Sequence, residues 1–262
     1  DFQAYLSMNL KLAKALSQTK KIPKKKKLKF LKQASDVMQE QLFVVGVDQE
    51  AFSDSKEFVN STLSIVADDG DVLSLLDLLK DHANFLYAHS LGVSLYSVML
   101  AKKARWHSIP NRFRIALAGM FHDIGKKEID RSILEKKRIH LSQEERALIE
   151  THPARGQEIV SQMKSLPPDL AQIIYQHHED CNGYGYPGKL TRTKIHPMAR
   201  MIAVADTFCN FVIPGPQSDG MSAIDAISQI LQFHGDRLDK EFVGLLMQAF
   251  KYDRHARKKA AA

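Results

Sequence analysis

His122 and Asp123 stand side by side and are followed by Ile124-Gly125-Lys126. His177 and His178 are also adjacent, with Glu179 after them, and His152 directly precedes Pro153. His89 falls in the charge-free stretch from Phe85 to Ala101, and Asp206 in the otherwise apolar run from Met201 to Phe208. A carboxylate in such a run is costly to bury unless it is paired or bound to a metal. Imidazoles and carboxylates suit borderline divalent ions such as iron, manganese or zinc, and with only Cys181 and Cys209 present no thiolate cluster competes. Singly, each residue has an ordinary reading. His89 fits a satisfied core histidine, Asp206 a helix-packing ion pair, and His152 a helix-terminus histidine. The order of all of them along one chain is what points to metal chemistry.

Helices have to position these groups, because strand signals are scarce while apolar residues recur at helical period. Val72, Leu75, Leu76, Leu79, Phe85, Leu86, Val93, Tyr96 and Leu100 trace one face of a long helix. A second helix runs from about Arg112 to His122, with Gly125 placed to end it. Ser142 and Glu145 form a capping box that opens a helix through Ile149, and another starts after His152-Pro153. Asp169 is expected to cap a helix to His178, and Pro197 to begin one that passes Asp206. Ala223 to Gln232 and Glu241 to Phe250 supply two more, while Gly183, Gly185, Pro187 and Gly188 mark a loop between His178 and Ile195. The chain is therefore expected to be all-α. A boundary is expected near residue 70, at Asp68-Asp69-Gly70-Asp71.

At 262 residues, 44% hydrophobic and 26% charged, the chain is an ordinary globular protein with one large domain and an appendage. Two cysteines cannot make a disulfide framework, and no apolar leader or spanning segment is evident, so a cytoplasmic location is expected. The net charge of +7 invites a nucleic-acid reading, but its distribution argues against one. Residues 1–34 hold ten lysines and one acid, and residues 36–81 hold eleven acids against Lys56 and Lys80. Such an arm can pair with its neighbour or simply be solvated, and no zinc-finger spacing accompanies it.

In sequence order, His89, His122-Asp123 and Asp206 resemble the H…HD…D signature of the HD-domain metal-dependent phosphohydrolases. His152, the pair His177-His178 with Glu179, and the loop Asn182-Gly183-Tyr184-Gly185-Tyr186-Pro187 resemble the HD-GYP subfamily, whose members hydrolyse the bacterial messenger cyclic di-GMP. The resemblance spans roughly residues 72–250, including Gly235–Asp239; residues 1–70 resemble no module we recognise. It implies an HD-domain helical bundle over residues 71–262 behind a smaller helical N-terminal region, 1–70. His89, His122, Asp123, His152, His177, His178 and Asp206 are the implied metal ligands. Seven such donors exceed one four-coordinate site and suit two ions about 3.5–4 Å apart, with Asp123 as the natural bridge. Iron or manganese is expected in preference to zinc. Such a pair would activate a water for in-line attack on phosphorus, with Lys126 steadying a nonbridging or leaving oxygen. Asp123 and Lys126 are the expected catalytic residues. Lys126, Gly185 and Tyr186 are expected beside the substrate, although Tyr186 could equally only pack its loop. His107 and His234 fall outside the ligand pattern.

Two departures from the family matter. Members with three metals carry a carboxylate four residues before the first histidine, where this chain has Phe85, so a binuclear site is expected. After Asp206 the family continues into a segment whose cations and tyrosine grip the substrate, and at those positions stand Gly215, Gln217 and Ser218. Lys126, Lys189, Arg192, Lys194 and Arg200 are the nearest replacement cations by sequence. The rival readings are a module that binds cyclic di-GMP, or a protein partner through the Gly183–Gly188 loop, and an HD phosphohydrolase with another nucleotide substrate.

Overall fold

A computed structural model describes residues 22–42, 49–65, 85–163, 166–216 and 218–251, together with residues 8, 9, 11, 12, 15, 19 and 79. In chain order the helices are α1 (Lys24–Glu40), α2 (Gln49–Ile65), α3 (Phe85–Lys103), α4 (Ile109–Phe121), α5 (Arg131–Leu134), α6 (Gln143–Ile149), α7 (His152–Ser161), α8 (Leu170–Gln176), α9 (Pro197–Val212), α10 (Ala223–Gln229) and α11 (Lys240–Ala249). A 3-10 turn, Ile124–Glu128, links α4 to α5, and a π turn, Ile230–His234, extends α10. Extended pairing among the described residues is limited to one bridge, Asn182 to Thr191. Among the described residues no helix is long and apolar enough to cross a membrane.

The bundle is organised around α3, against which α4, α9, α1 and α11 all pack. The sequence pattern predicts a single apolar face for this helix, but every residue from Tyr87 to Ala101 is buried. A helix enclosed on all sides cannot be amphipathic, and its polar positions are filled by small serines that let neighbours approach. Gly119 on α4 shows how near they come: a Cβ there would lie 2.7 Å from the Ser94 Cα. Beside it the Ser94 hydroxyl donates to the Ala116 carbonyl at 2.8 Å. The Val72–Leu76 part of the expected long helix and the expected boundary near residue 70 lie outside the described residues. Helices α1 and α2 pack on α3 and α4, and their Leu31, Met38 and Phe58 join the same core as Leu91, Phe121 and Phe208. The Tyr87 hydroxyl also donates to Glu40 Oε2 at 2.6 Å, tying the end of α1 to the start of α3.

The local start signals hold. Ser142 and Glu145 form both halves of the capping box on α6, and prolines occupy the first turns of α7 and α9. Two others are used differently. Asp169 sits at the N-cap of α8 without capping it, because its carboxylate pairs with Arg114 at 2.8 Å. The helix itself stops at Gln176 rather than His178. Gly125 does not end α4, which stops at Phe121; it lies in the 3-10 turn, where a Cβ would be 2.1 Å from the His152 carbonyl oxygen. Glycine is required there for close approach of the turn to α7, and that contact brings Asp123 to His152.

The Gly119–Ser94 crossing generates a test of this packing. Gly119→Ala should destabilise the protein by about 1–3 kcal/mol, the usual cost of overpacking a core. Chemical denaturation of the purified variant, read as the midpoint at unchanged slope, measures it.

Candidate metal centre

Six segments deliver the seven candidate ligands to one place. His89 comes from the buried α3, His122 from the C-terminal cap of α4, and Asp123 from the following turn. His152 opens α7, His177 caps the end of α8 with His178 after it, and Asp206 lies inside α9. All are buried except His178, which is partly exposed.

The local fold fixes the chemistry of three of the rings. The last carbonyls of a helix have no intrahelical donor, and here histidine rings use them. His122 Nδ1 lies 2.8 Å from the Gly119 carbonyl oxygen, His152 Nδ1 2.6 Å from that of Ile149, and His177 Nδ1 2.5 Å from that of Ile174. Each bond requires the proton on Nδ1, so in the neutral ring Nε2 is left as a lone pair. Those lone pairs point at one another and at carboxylate oxygens. His152 Nε2 and His177 Nε2 are 3.1 Å apart, and Asp123 Oδ1 lies 3.1 Å from the former and 3.9 Å from the latter. The other oxygen, Asp123 Oδ2, lies 3.3 Å from His122 Nε2 and 3.9 Å from His89 Nε2. Both His122 Nε2 and Asp123 Oδ1 are buried without a hydrogen-bond partner.

Burial holds the protons off. It lowers His152 and His177, and His178 falls to about 3. Burial would raise both aspartates, but His122 and Lys126 hold Asp123 well below the usual carboxylate range, and His89 does the same for Asp206. His122 moves the other way, drawn up by the Asp123 carboxylate against the effect of burial. Neutral imidazole acceptors facing ionised carboxylates in a dry site are a cation-binding arrangement. Two groups of donors satisfy it: Asp123, His152, His177 and His178 in one, and His89, His122 and Asp206 in the other, each within 4.8 Å. Asp123 faces both, one oxygen to each. The donor set fits divalent-metal binding.

The surroundings are held by polar contacts. Glu179 is buried and accepts the backbone N–H groups of Gly188 and Leu190, which ties the Gly183–Gly188 loop to the His177-His178 segment. Tyr186 stacks on His178 with ring centroids 4.8 Å apart, and it both packs the loop and lines the pocket above the cluster. Gly185 does not line that pocket. A Cβ there would be 2.1 Å from the Asp180 nitrogen, so glycine lets the loop fold back onto the histidine pair. Lys126 lines the pocket and donates to Asp123 Oδ2 at 2.6 Å.

The two sequence departures meet in space. Phe85 lies 5.2 Å from the His89 ring, and a Cβ on Gly215 would be 2.1 Å from Phe85 Cδ2. The aromatic ring fills the space in which a side chain at 215 would begin. Ser218 is turned inward to close the segment, its hydroxyl donating to the Phe211 carbonyl at 2.9 Å. Neither Gly215 nor Ser218 lines the pocket, and Gln217 lies outside the described residues. Of the replacement cations named from sequence, only Lys126 faces the pocket. Arg192 and Arg200 both pair with the buried Asp239, and Lys189 and Lys194 lie elsewhere. The pocket, about 320 Å3, instead contains Arg138, Arg146 and Arg237, and also His234, which the ligand pattern had set aside. No spacing in the sequence marks these arginines, because an exposed cation in a loop or on a short helix is ordinarily solvated.

Comparison with known proteins agrees with the geometry. Residues 74–242 match the HD domain family model. The cyclic di-GMP phosphodiesterase PA4108 of Pseudomonas aeruginosa is 30% identical over 172 residues, 66% of this chain and 41% of that protein. A cyclic di-GMP phosphodiesterase of Thermotoga maritima is 29% identical over 183 residues, 69% of this chain and 49% of its own length. The 3'3'-cGAMP-specific phosphodiesterase 3 of Vibrio cholerae is 27% identical over 161 residues, 62% of this chain and 34% of that protein. The chain thus spans less than half the length of each of these relatives. Among solved structures, Bd1817, an HDG"Y"P protein from Bdellovibrio bacteriovorus, shares the fold with a TM-score of 0.76 at 19% identity, over 95% of this chain and 79% of that one. This chain belongs to the HD domain family.

The contact between Phe85 and Gly215 predicts energetic coupling. Gly215→Ala alone should destabilise by about 1–3 kcal/mol, and much of that cost should vanish in a Phe85→Ala background. A double-mutant cycle on denaturation free energies should return a coupling of at least ~0.5 kcal/mol. Additive losses would show that the ring and the glycine do not share the space.

Proposed function

We propose that this chain is a metal-dependent phosphodiesterase of the HD-GYP type that acts on a cyclic dinucleotide, cyclic di-GMP or a related 3'3'-linked one. The observation that carries this reading is the pair of facing lone pairs on His152 and His177, 3.1 Å apart, beside a carboxylate that spans both donor groups. Asp123, His152, His177 and His178 would hold one divalent ion, and His89, His122 and Asp206, with the second oxygen of Asp123, the other. Bound there, two divalent ions supply a water acidic enough to attack phosphorus at neutral pH and neutralise charge on the phosphoryl oxygens. A donor set of nitrogen and oxygen without sulfur favours iron or manganese over zinc.

The chain's own groups orient this chemistry. The helix-end carbonyls of Gly119, Ile149 and Ile174 hold three rings in the ligating tautomer, so little reorganisation is needed. Lys126 spans Asp123 and the pocket, and there it would steady a phosphoryl or leaving oxygen. Tyr186, stacked on His178, closes one wall. The substrate class rests on relatives whose names specify cyclic di-GMP and 3'3'-cGAMP. We read residues 71–262 as the hydrolase unit and 1–70 as an N-terminal region that covers α3 and α4. A messenger substrate of this kind fits a cytoplasmic location.

A second reading is a module that binds cyclic dinucleotides with little turnover. It is favoured by the displacement of Gly215 and Ser218 from the pocket. Tyr184, 86% exposed at the tip of the Gly183–Gly188 loop, offers such a module a surface for a protein partner.

Anaerobic reconstitution followed by elemental analysis should give two iron or manganese ions per chain. One equivalent or fewer would overturn the binuclear assignment. Asp123→Ala should lose the metal pair and reduce turnover of cyclic di-GMP and of bis(p-nitrophenyl) phosphate to background. His107→Ala, at an exposed position outside the site, should retain both.

A further inference from the structure

The reading above leaves the substrate's phosphates without the cations expected after Asp206. The pocket wall supplies others. We propose that Arg138 and Arg146, assisted by Arg237, replace the missing clamp and grip the phosphates of a substrate bearing at least two of them. This rests on the phosphodiesterase reading and adds the residues that select the substrate.

The three arginines reach one pocket from separate elements. Arg138 lies in a short 3-10 turn, Arg138–His140, Arg146 on α6, and Arg237 just beyond the π turn. All line the cavity whose floor is formed by His152, His177 and Asp206. Their pairing sets the first two apart. Arg114, Arg131, Arg155, Arg192 and Arg200 each pair with a carboxylate: Asp169, Glu135, Glu128 and, for the last two, Asp239, while Arg105 and Arg112, which have no such pair among the described residues, do not line the pocket. Arg138 and Arg146 have no carboxylate partner among the described residues. The Arg146 guanidinium donates to the Arg138 carbonyl at 3.2 Å, a neutral acceptor that positions the side chain and leaves its charge unspent. Arg237 is steadied by Asp180 Oδ2 at 2.8 Å, and its carbonyl accepts the Cys181 N–H at 2.7 Å, which fixes it against the segment carrying the histidine pair.

The charges bear on common ground. His234 lines the same wall and is held below its usual value by burial first, then by Arg237, with Arg138 adding to the effect. The acids facing the pocket are largely engaged elsewhere. Glu179 accepts loop N–H groups, Asp180 holds Arg237, and Asp206 accepts from His89 and Asn210. Glu150, one turn after Arg146, is the carboxylate that tempers the field. With Lys126 beside Asp123 at the reacting group, two guanidiniums without a carboxylate partner remain for further phosphate oxygens, where a single phosphodiester anion needs one. Planar guanidinium forks match phosphate oxygens bidentately. The pocket is therefore suited to a dianionic dinucleotide rather than a simple diester.

The test uses the full chain, reconstituted with metal, titrated calorimetrically with cyclic di-GMP and separately with 3'3'-cGAMP. Arg138→Ala and Arg146→Ala should each weaken binding of the preferred dinucleotide about tenfold or more, and the double variant about a hundredfold. The expected kinetic signature is a rise in KM that exceeds any fall in kcat. Arg146→Lys should recover only part of the loss, since lysine keeps the charge without the fork. Arg131→Ala and Arg155→Ala, at surface pairs away from the pocket, should bind as the unaltered chain does. Metal content is measured in every variant, and Gln versions of the two arginines replace any Ala variant that fails to fold. Unchanged affinity in the double variant, or equal loss in the control variants, would overturn the proposal. Failure of the unaltered chain to bind either dinucleotide would overturn it as well. In that event the metal count and turnover of bis(p-nitrophenyl) phosphate still judge the phosphodiesterase reading separately.

Discussion

The ring nitrogens of His152 and His177 face each other across 3.1 Å with no proton available to join them, because each neutral ring already donates its one N–H to a backbone carbonyl. In water such a contact would relax by rotation or protonation. Here burial disfavours the charged ring, and the carbonyl bonds prevent the turn. A cation is what satisfies the arrangement, and the rest of the fold can be understood as what holds these acceptors in place. Asp123 extends the same logic to a second group, since one carboxylate oxygen meets each set of rings.

Holding them requires unusually close backbones. Helix α3 passes through the middle of the bundle and approaches α4 at Gly119 and Ser94; the 3-10 turn after His122 approaches α7 at Gly125. The same device then recurs three times: a helix ends, its unpaired carbonyls accept an imidazole N–H, and the opposite nitrogen is presented to the centre. Helix termination, normally a problem of unsatisfied groups, here fixes the tautomer of the site. The loop over the centre is attached to it by the buried Glu179, so loop and histidine pair are one polar unit.

The departures from the HD-GYP pattern form a connected set. Phe85 takes the place of a carboxylate and packs beside His89; its ring then leaves no room for a side chain at 215, and the following turn folds inward through Ser218. Phe85 and Gly215, some 130 residues apart along the chain, thus share one space, and no side chain at 215 reaches the pocket. The pocket has not become neutral, because Arg138, Arg146 and Arg237 enter it from other segments. In this molecule the pocket's cations come from the short elements after Lys126 and from Arg237 beyond the π turn, not from the segment directly after Asp206.

The sequence by itself determined the helical class, most helix starts and which histidines and aspartates meet in the buried cluster. These depend on local information: the capping box at Ser142 and Glu145, prolines in first turns, and an aspartate that an apolar helix has no reason to carry unless it is paired or ligated. The order of histidines and aspartates then sufficed to name the family. Other features depended on which surfaces meet. Helix α3 reads as one-faced but is enclosed on every side, Gly125 reads as a helix stop but serves a contact with α7, and His234 reads as an ordinary histidine but lines the pocket. The replacement cations followed the same rule. Arg192 and Arg200 lie nearest in sequence but are neutralised by Asp239, while Arg138 and Arg146 reach the pocket unpaired. Residue type and spacing specify what a side chain can do; only long-range packing decides where its charge points and what is left to meet it.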